Sequence, residues 1–135
     1  MSWKEKILPS EIQDKVTTKT VEFAKIFGEH LANEEDGAPL TTSQLRKFFG
    51  EVKRQQMSQY DETSFVMLKP KLAYAVGRAK QNGKGKHLKI EDFYDVMADA
   101  IDKVVASPDK ERAFRNFILV FEAIVAYHKA AEKKY

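Results

Sequence analysis

Lys71, Tyr74 and Arg78 stand at i, i+3 and i+7, so on a helix a cation, a phenol ring and a second cation share one face. A second basic group, Arg46, Lys47, Lys53 and Arg54, clusters around Gly50, opposite the apolar residues Leu45, Phe48, Phe49 and Val52. Faces of this kind do non-covalent chemistry. Guanidinium and ammonium groups hold phosphate oxygens, and an aromatic ring between them stacks a base. Lys69 adjoins the second face, and Lys84 and Lys86 lie in the Gly-rich stretch that follows it. The candidate nucleic-acid-binding residues are therefore Arg46, Lys47, Lys53, Arg54, Lys69, Lys71, Tyr74, Arg78, Lys84 and Lys86.

The plainer reading of a lysine-rich helix face is a solvated surface. The distribution of charge argues against it. Residues 40–90 hold 11 Lys/Arg against 3 Asp/Glu, a net of +8, whereas residues 1–39 net −3 and residues 91–135 net −2. With so few acids in the middle, local i,i+4 pairing cannot account for the cations. A concentrated positive block suits a polyanion, whose condensed counterions it can release.

No catalytic constellation accompanies this block. His30, His87 and His128 lie in three different segments, none with a second ligand at metal spacing. There is no cysteine and no G-x-S-x-G. The run Gly77-Arg-Ala-Lys-Gln-Asn-Gly83-Lys84-Gly85 is one residue too long for a phosphate loop, lacks its hydroxyl and follows a helix, not a strand. Asp92, Asp95, Asp99 and Asp102 line one helix face. Three readings are open for them: a solvated surface, a docking face for a basic neighbouring copy, or a magnesium site for phosphoryl chemistry. The expectation is a protein that is not an enzyme, with no metal and no cofactor.

These residues need elements to position them. At 135 residues, 43% hydrophobic and 32% charged, the chain fits one globular domain, 1–135. The absence of cysteine suits a reducing cytoplasm, and no signal segment or membrane span is visible. The periodicity is helical throughout and predicts an all-α bundle of about five helices, near 10–31, 41–58, 62–81, 90–105 and 108–131. Ile12, Val16, Phe23, Phe27 and Leu31 recur along the first, with a gap at Thr20. Thr41 and Gln44 form a capping box for the second, with Leu40 and Leu45 placed as a hydrophobic staple. Gly50 costs that helix about 1 kcal/mol relative to alanine and would let another backbone come close. Pro70 either kinks the third helix or stands in the first turn of one that begins near Lys69. The last helix is apolar around so much of its circumference that it must be central to a bundle or buried in an oligomer. Trp3 is either a packed N-terminal arm or an anchor for a partner.

Leu40-Thr-Thr-Ser-Gln-Leu-Arg-Lys-Phe-Phe49 and Leu68-Lys-Pro-Lys-Leu-Ala-Tyr-Ala-Val-Gly-Arg78, in this order with a short connection, resemble the small subunit of type III-A CRISPR–Cas (Csm) effector complexes. The strong match covers about residues 40–80. The resemblance implies an all-helical, non-catalytic subunit, present in several copies that stack along the guide RNA–target RNA duplex beside the other subunits. It implies that Arg46, Lys53, Arg54, Lys69, Lys71 and Arg78 face the nucleic acid. Lys84 and Lys86 lie beyond the match and are assigned on charge alone. A helical adaptor that binds only proteins, through the last helix and Trp3, is the rival from another class. A metal-dependent nuclease using the Asp stripe is a second.

Overall fold

A computed structural model describes residue 3 and residues 12–35, 37–83 and 86–132. Among them are five long helices and one short one, with no strand. They are α1 (Thr18–Ala32), α2 (Thr42–Gln56), α3 (Glu62–Val66), α4 (Leu68–Asn82), α5 (Lys89–Val105) and α6 (Lys110–Ala131). The all-α expectation holds.

The first helix is shorter than the expected 10–31. Ile12 and Gln13 are helical, residues 15–17 are not, and α1 begins afresh at Thr18. The gap at Thr20 marks the new start: its hydroxyl accepts the Thr17 N–H at 3.0 Å and satisfies a donor that a helix start leaves open. The break is held by hydrogen bonds from residues distant in sequence. Asn116 donates to the carbonyls of Ile12 and Asp14, and Gln13 donates to that of Lys103. The expected start at Ser10 lies outside the described residues.

The second helix starts as predicted. Thr41 N–H donates to Gln44 Oε1 at 2.9 Å, Gln44 N–H donates to Thr41 Oγ1 at 3.1 Å, and Leu40 and Leu45 are both buried. It ends at Gln56, not 58, with Met57 folded back on the Arg54 carbonyl.

The helix expected over 62–81 is divided. Pro70 has no N–H for the Val66 carbonyl, so α3 ends at Val66, Met67 links, and α4 runs from Leu68 with Pro70 in its first turn. Asp61 caps α3, accepting from the Ser64 N–H at 3.0 Å and hydroxyl at 2.6 Å. These bonds hold its carboxyl below the usual range.

α6 is the central helix, packed against α1, α2 and α5. Its Phe117 and Phe121 lie within an aromatic core with Phe48, Phe49, Phe65 and Phe93. Full burial, as at Phe65, Phe93, Phe117 and Phe121, stabilises by about 1.5–3 kcal/mol each, and the half-buried Phe48 and Phe49 contribute less. The apolar circumference of α6 is not wholly buried: Leu119 is 52% exposed. α1 comes close to α6 at Gly28, where a Cβ would stand 2.9 Å from His128 N and from the Ile124 carbonyl oxygen. Lys89, fully buried at the start of α5, donates to the Asn33 side chain at 2.9 Å and to the His30 carbonyl, closing the C-terminal end of α1.

Candidate nucleic-acid interface

α2 rests on α6 and α4 rests on α5, and between α2 and α4 lies an open groove of about 790 Å³. Its floor includes Phe48, Leu72, Ala75, Ile90 and Phe93. Arg46, Lys47, Gly50 and Arg54 line it from α2, and Lys71, Tyr74 and Arg78 from α4. The two basic faces derived from spacing thus become the two walls of one depression. Helical spacing explains each wall. The apolar floor depends on α5 passing beneath, which no local pattern reveals.

Glu51 bears a carboxylate on the same groove. It pairs with Arg54 on its own helix and with Lys71 across the gap at 3.1 Å, tying the walls together at one end. Among the described residues Arg46, Lys47 and Arg78 pair with no carboxylate, so the positive field is concentrated there. Tyr74 is 68% exposed at the rim, with the Arg78 guanidinium 6.0 Å from its ring centroid.

Six of the ten predicted residues therefore meet at this groove: Arg46, Lys47, Arg54, Lys71, Tyr74 and Arg78. Lys53 turns over the Phe49 ring, 5.9 Å from its centroid. Lys69 bonds Asp102 of α5 at 2.7 Å, and this hydrogen bond holds its ammonium above the ordinary lysine value. Lys86 is exposed on a shallower depression that shares Asn82 with the groove. Lys84 lies outside the described residues. The scarcity of acids along residues 40–90 does not leave every cation of the block unpaired. Pairing along helices is scarce, but the folded chain brings Glu51, Glu91 and Asp102 to Lys71, Lys80 and Lys69.

Comparison with known families gives one finding: the Csm2 type III-A family model matches residues 14–134. The chain belongs to the Csm2 type III-A family. It is thus a small subunit of type III-A CRISPR–Cas complexes. The Csm2 match extends well beyond residues 40–80, through the segment before Leu40 that carries no distinctive motif. No curated protein and no solved structure matches this Csm2-family chain.

The other expected sites look different once folded. The Asp stripe is not a continuous solvated face. Asp92 is buried, Asp99 pairs with Lys103, Asp102 pairs with Lys69, and Asp95 alone of the four is exposed without a described partner. Among the described residues no three His, Asp or Glu side chains are placed to hold a metal ion. The histidines are not as separate as their spacing implies. His30 and His87 both bond the Asp92 carboxylate, at 2.7 and 3.0 Å, and Trp3 stacks on His30 at 4.8 Å. Trp3 is thus packed against its own chain. His128 is buried, its Nε2 2.6 Å from the Leu40 carbonyl oxygen. The two surfaces an adaptor would use, Trp3 and the last helix, are thereby largely occupied by the chain's own packing. Among the described residues no helix is long and apolar enough to cross a membrane.

Proposed function

We propose that this subunit binds RNA without cutting it. Several copies stack along the guide RNA–target RNA duplex of a cytoplasmic type III-A ribonucleoprotein, beside its other subunits. The contacts are to phosphates, through both walls of the α2–α4 groove, and they carry little sequence information. Lys53, Lys69 and Lys86 add to the basic surface, and Lys84 is included on its charge alone.

The observation that carries this reading is the convergence of Arg46, Lys47 and Arg78, three cations free of described carboxylates, on opposite sides of one groove. Structural ion pairs would have used them up, as they use Arg54 and Lys71. Arginine on both walls suits bidentate contact with phosphate oxygens.

The test is anisotropy titration of unrelated single-stranded RNAs across a salt series, with the wild-type chain and an Arg46→Ala/Lys47→Ala/Arg78→Ala variant. The variant should bind every sequence more weakly. Its log–log salt slope should be shallower by about 2, at about 0.7 per lost phosphate contact. Equal affinity of the two proteins at low salt overturns the proposal.

A further inference from the structure

A phosphate rail needs cations and nothing more, yet this groove has an apolar floor. Phe48, Leu72, Ala75, Ile90 and Phe93 underlie the space between the basic walls, and its volume falls in the range of small-ligand sites, about 300–1,000 Å³. A second observation points the same way. Gly50 lies inside α2, where glycine costs a helix about 1 kcal/mol relative to alanine. Nothing in the chain requires it, since a Cβ there would meet no atom within 4 Å. Its missing side chain leaves the α2 backbone bare at the wall of the groove. Third, Tyr74 presents a largely exposed ring at the opposite wall.

We infer that the groove receives one unstacked base of the bound RNA, lying on the apolar floor against Tyr74, with its sugar–phosphate passing close to the backbone at Gly50. The inference rests on the proposed RNA binding and deepens it. The occupant follows from the arrangement of charge. A base within a nucleic acid strand is flanked by two phosphates, and here an apolar floor is flanked by cations on both sides. An acidic amphipathic helix fits less well, because its charges lie on the face turned away from an apolar floor. Gln44, Glu51 and Asn82 also line the groove, but Gln44 is held by Thr41 and Glu51 by Arg54 and Lys71, so the floor offers mainly shape and apolar contact and accepts any base.

Two probes of equal length separate base insertion from phosphate binding: a 12-nucleotide oligouridylate and the same chain made with abasic ribose. The wild-type chain should bind the intact probe about tenfold more tightly, within the range of stacking one base on an aromatic side chain. A 2-aminopurine at the centre of the probe should change its emission on binding. Gly50→Ala should bring the affinity ratio toward one while raising the melting temperature, a pairing that a purely structural glycine would not give. Tyr74→Ala should lower the same ratio. Equal, salt-dependent binding of both probes by the wild-type chain overturns base insertion and leaves phosphate binding standing. Failure to bind either probe at low salt overturns both. Displacement of the intact probe by a helical Glu/Leu peptide at lower concentration than by free oligouridylate also overturns the inference.

Discussion

The α1–α6 seam and the α2–α4 groove are opposite uses of a helix pair in one small chain. At the seam, Gly28 lets two backbones come so close that no side chain fits between them. At the groove, α2 and α4 each pack on a different helix beneath, and the glycine that lines the gap faces open space. One glycine is explained by the chain's own packing. The other has no such explanation within the described residues. The seam is sealed by buried contacts, including Leu40 N–H to the Leu31 carbonyl and His128 to the Leu40 carbonyl. The groove walls are joined across the gap by the carboxylate of Glu51, a surface device that water can weaken. Buried packing thus marks one side of the molecule, and exposed cations over an open groove the other.

The largest effect that tests this contrast belongs to the seam. Gly28→Ala should destabilise the chain by about 1–3 kcal/mol, the usual range for overpacking, because the atoms a methyl would strike include backbone of α6. Urea unfolding followed by circular dichroism measures it. A loss below about 0.5 kcal/mol would mean the helices separate easily and the seam is not the rigid part.

The sequence shows the walls of the groove but neither its floor nor the seam, for a physical reason. Helix faces are local: spacing of three and four puts Lys71, Tyr74 and Arg78 together whatever the tertiary fold. The capping box at Thr41 and Gln44 is equally local, and it forms as read. What spacing cannot supply is the neighbour. Nothing near Lys69 in sequence announces Asp102, and nothing near His30 announces Asp92, because both partners come from α5 more than thirty residues away. The floor of the groove depends on the same helix. The late start of the first long helix is visible in part: the gap at Thr20 is the mark of a fresh cap, readable as such only because Thr17 precedes it by three. Pro70 shows the limit of a local signal. A missing N–H forces a break near Val66, but whether the chain kinks or restarts depends on how Phe65 and Leu68 reach the core.

A smaller effect of opposite sign sharpens the comparison. Gly77 in α4 also faces open space, but it does not line the groove. Gly77→Ala should therefore stabilise the chain by about 0.5–1 kcal/mol, the ordinary gain from replacing a helix-interior glycine. RNA affinity should stay as in the wild type. If affinity falls as far as it does for Gly50→Ala, the ligand covers the outer face of α4 as well, and the groove is only part of the contact.

The smallest effect is in acid. Three carboxyls held below their ordinary range serve the groove side: Asp61 by the Ser64 bonds, Glu91 by the Leu88 N–H, and Glu132 by the Thr42 hydroxyl at the start of α2. A depressed carboxyl contributes stability that is complete above its unfolded value and is lost as pH falls through its folded one. All three should therefore hold their helix ends at neutral pH and release them below about pH 4. Amide exchange at the starts of α2, α3 and α5 should quicken there while the α1–α6 amides stay protected. Asp61→Ala should remove the acid step at α3 and leave those at α2 and α5. If the seam loosens first or together with these ends, the division between a buried seam and a surface-held groove fails, because the same carboxyls would then be supporting both.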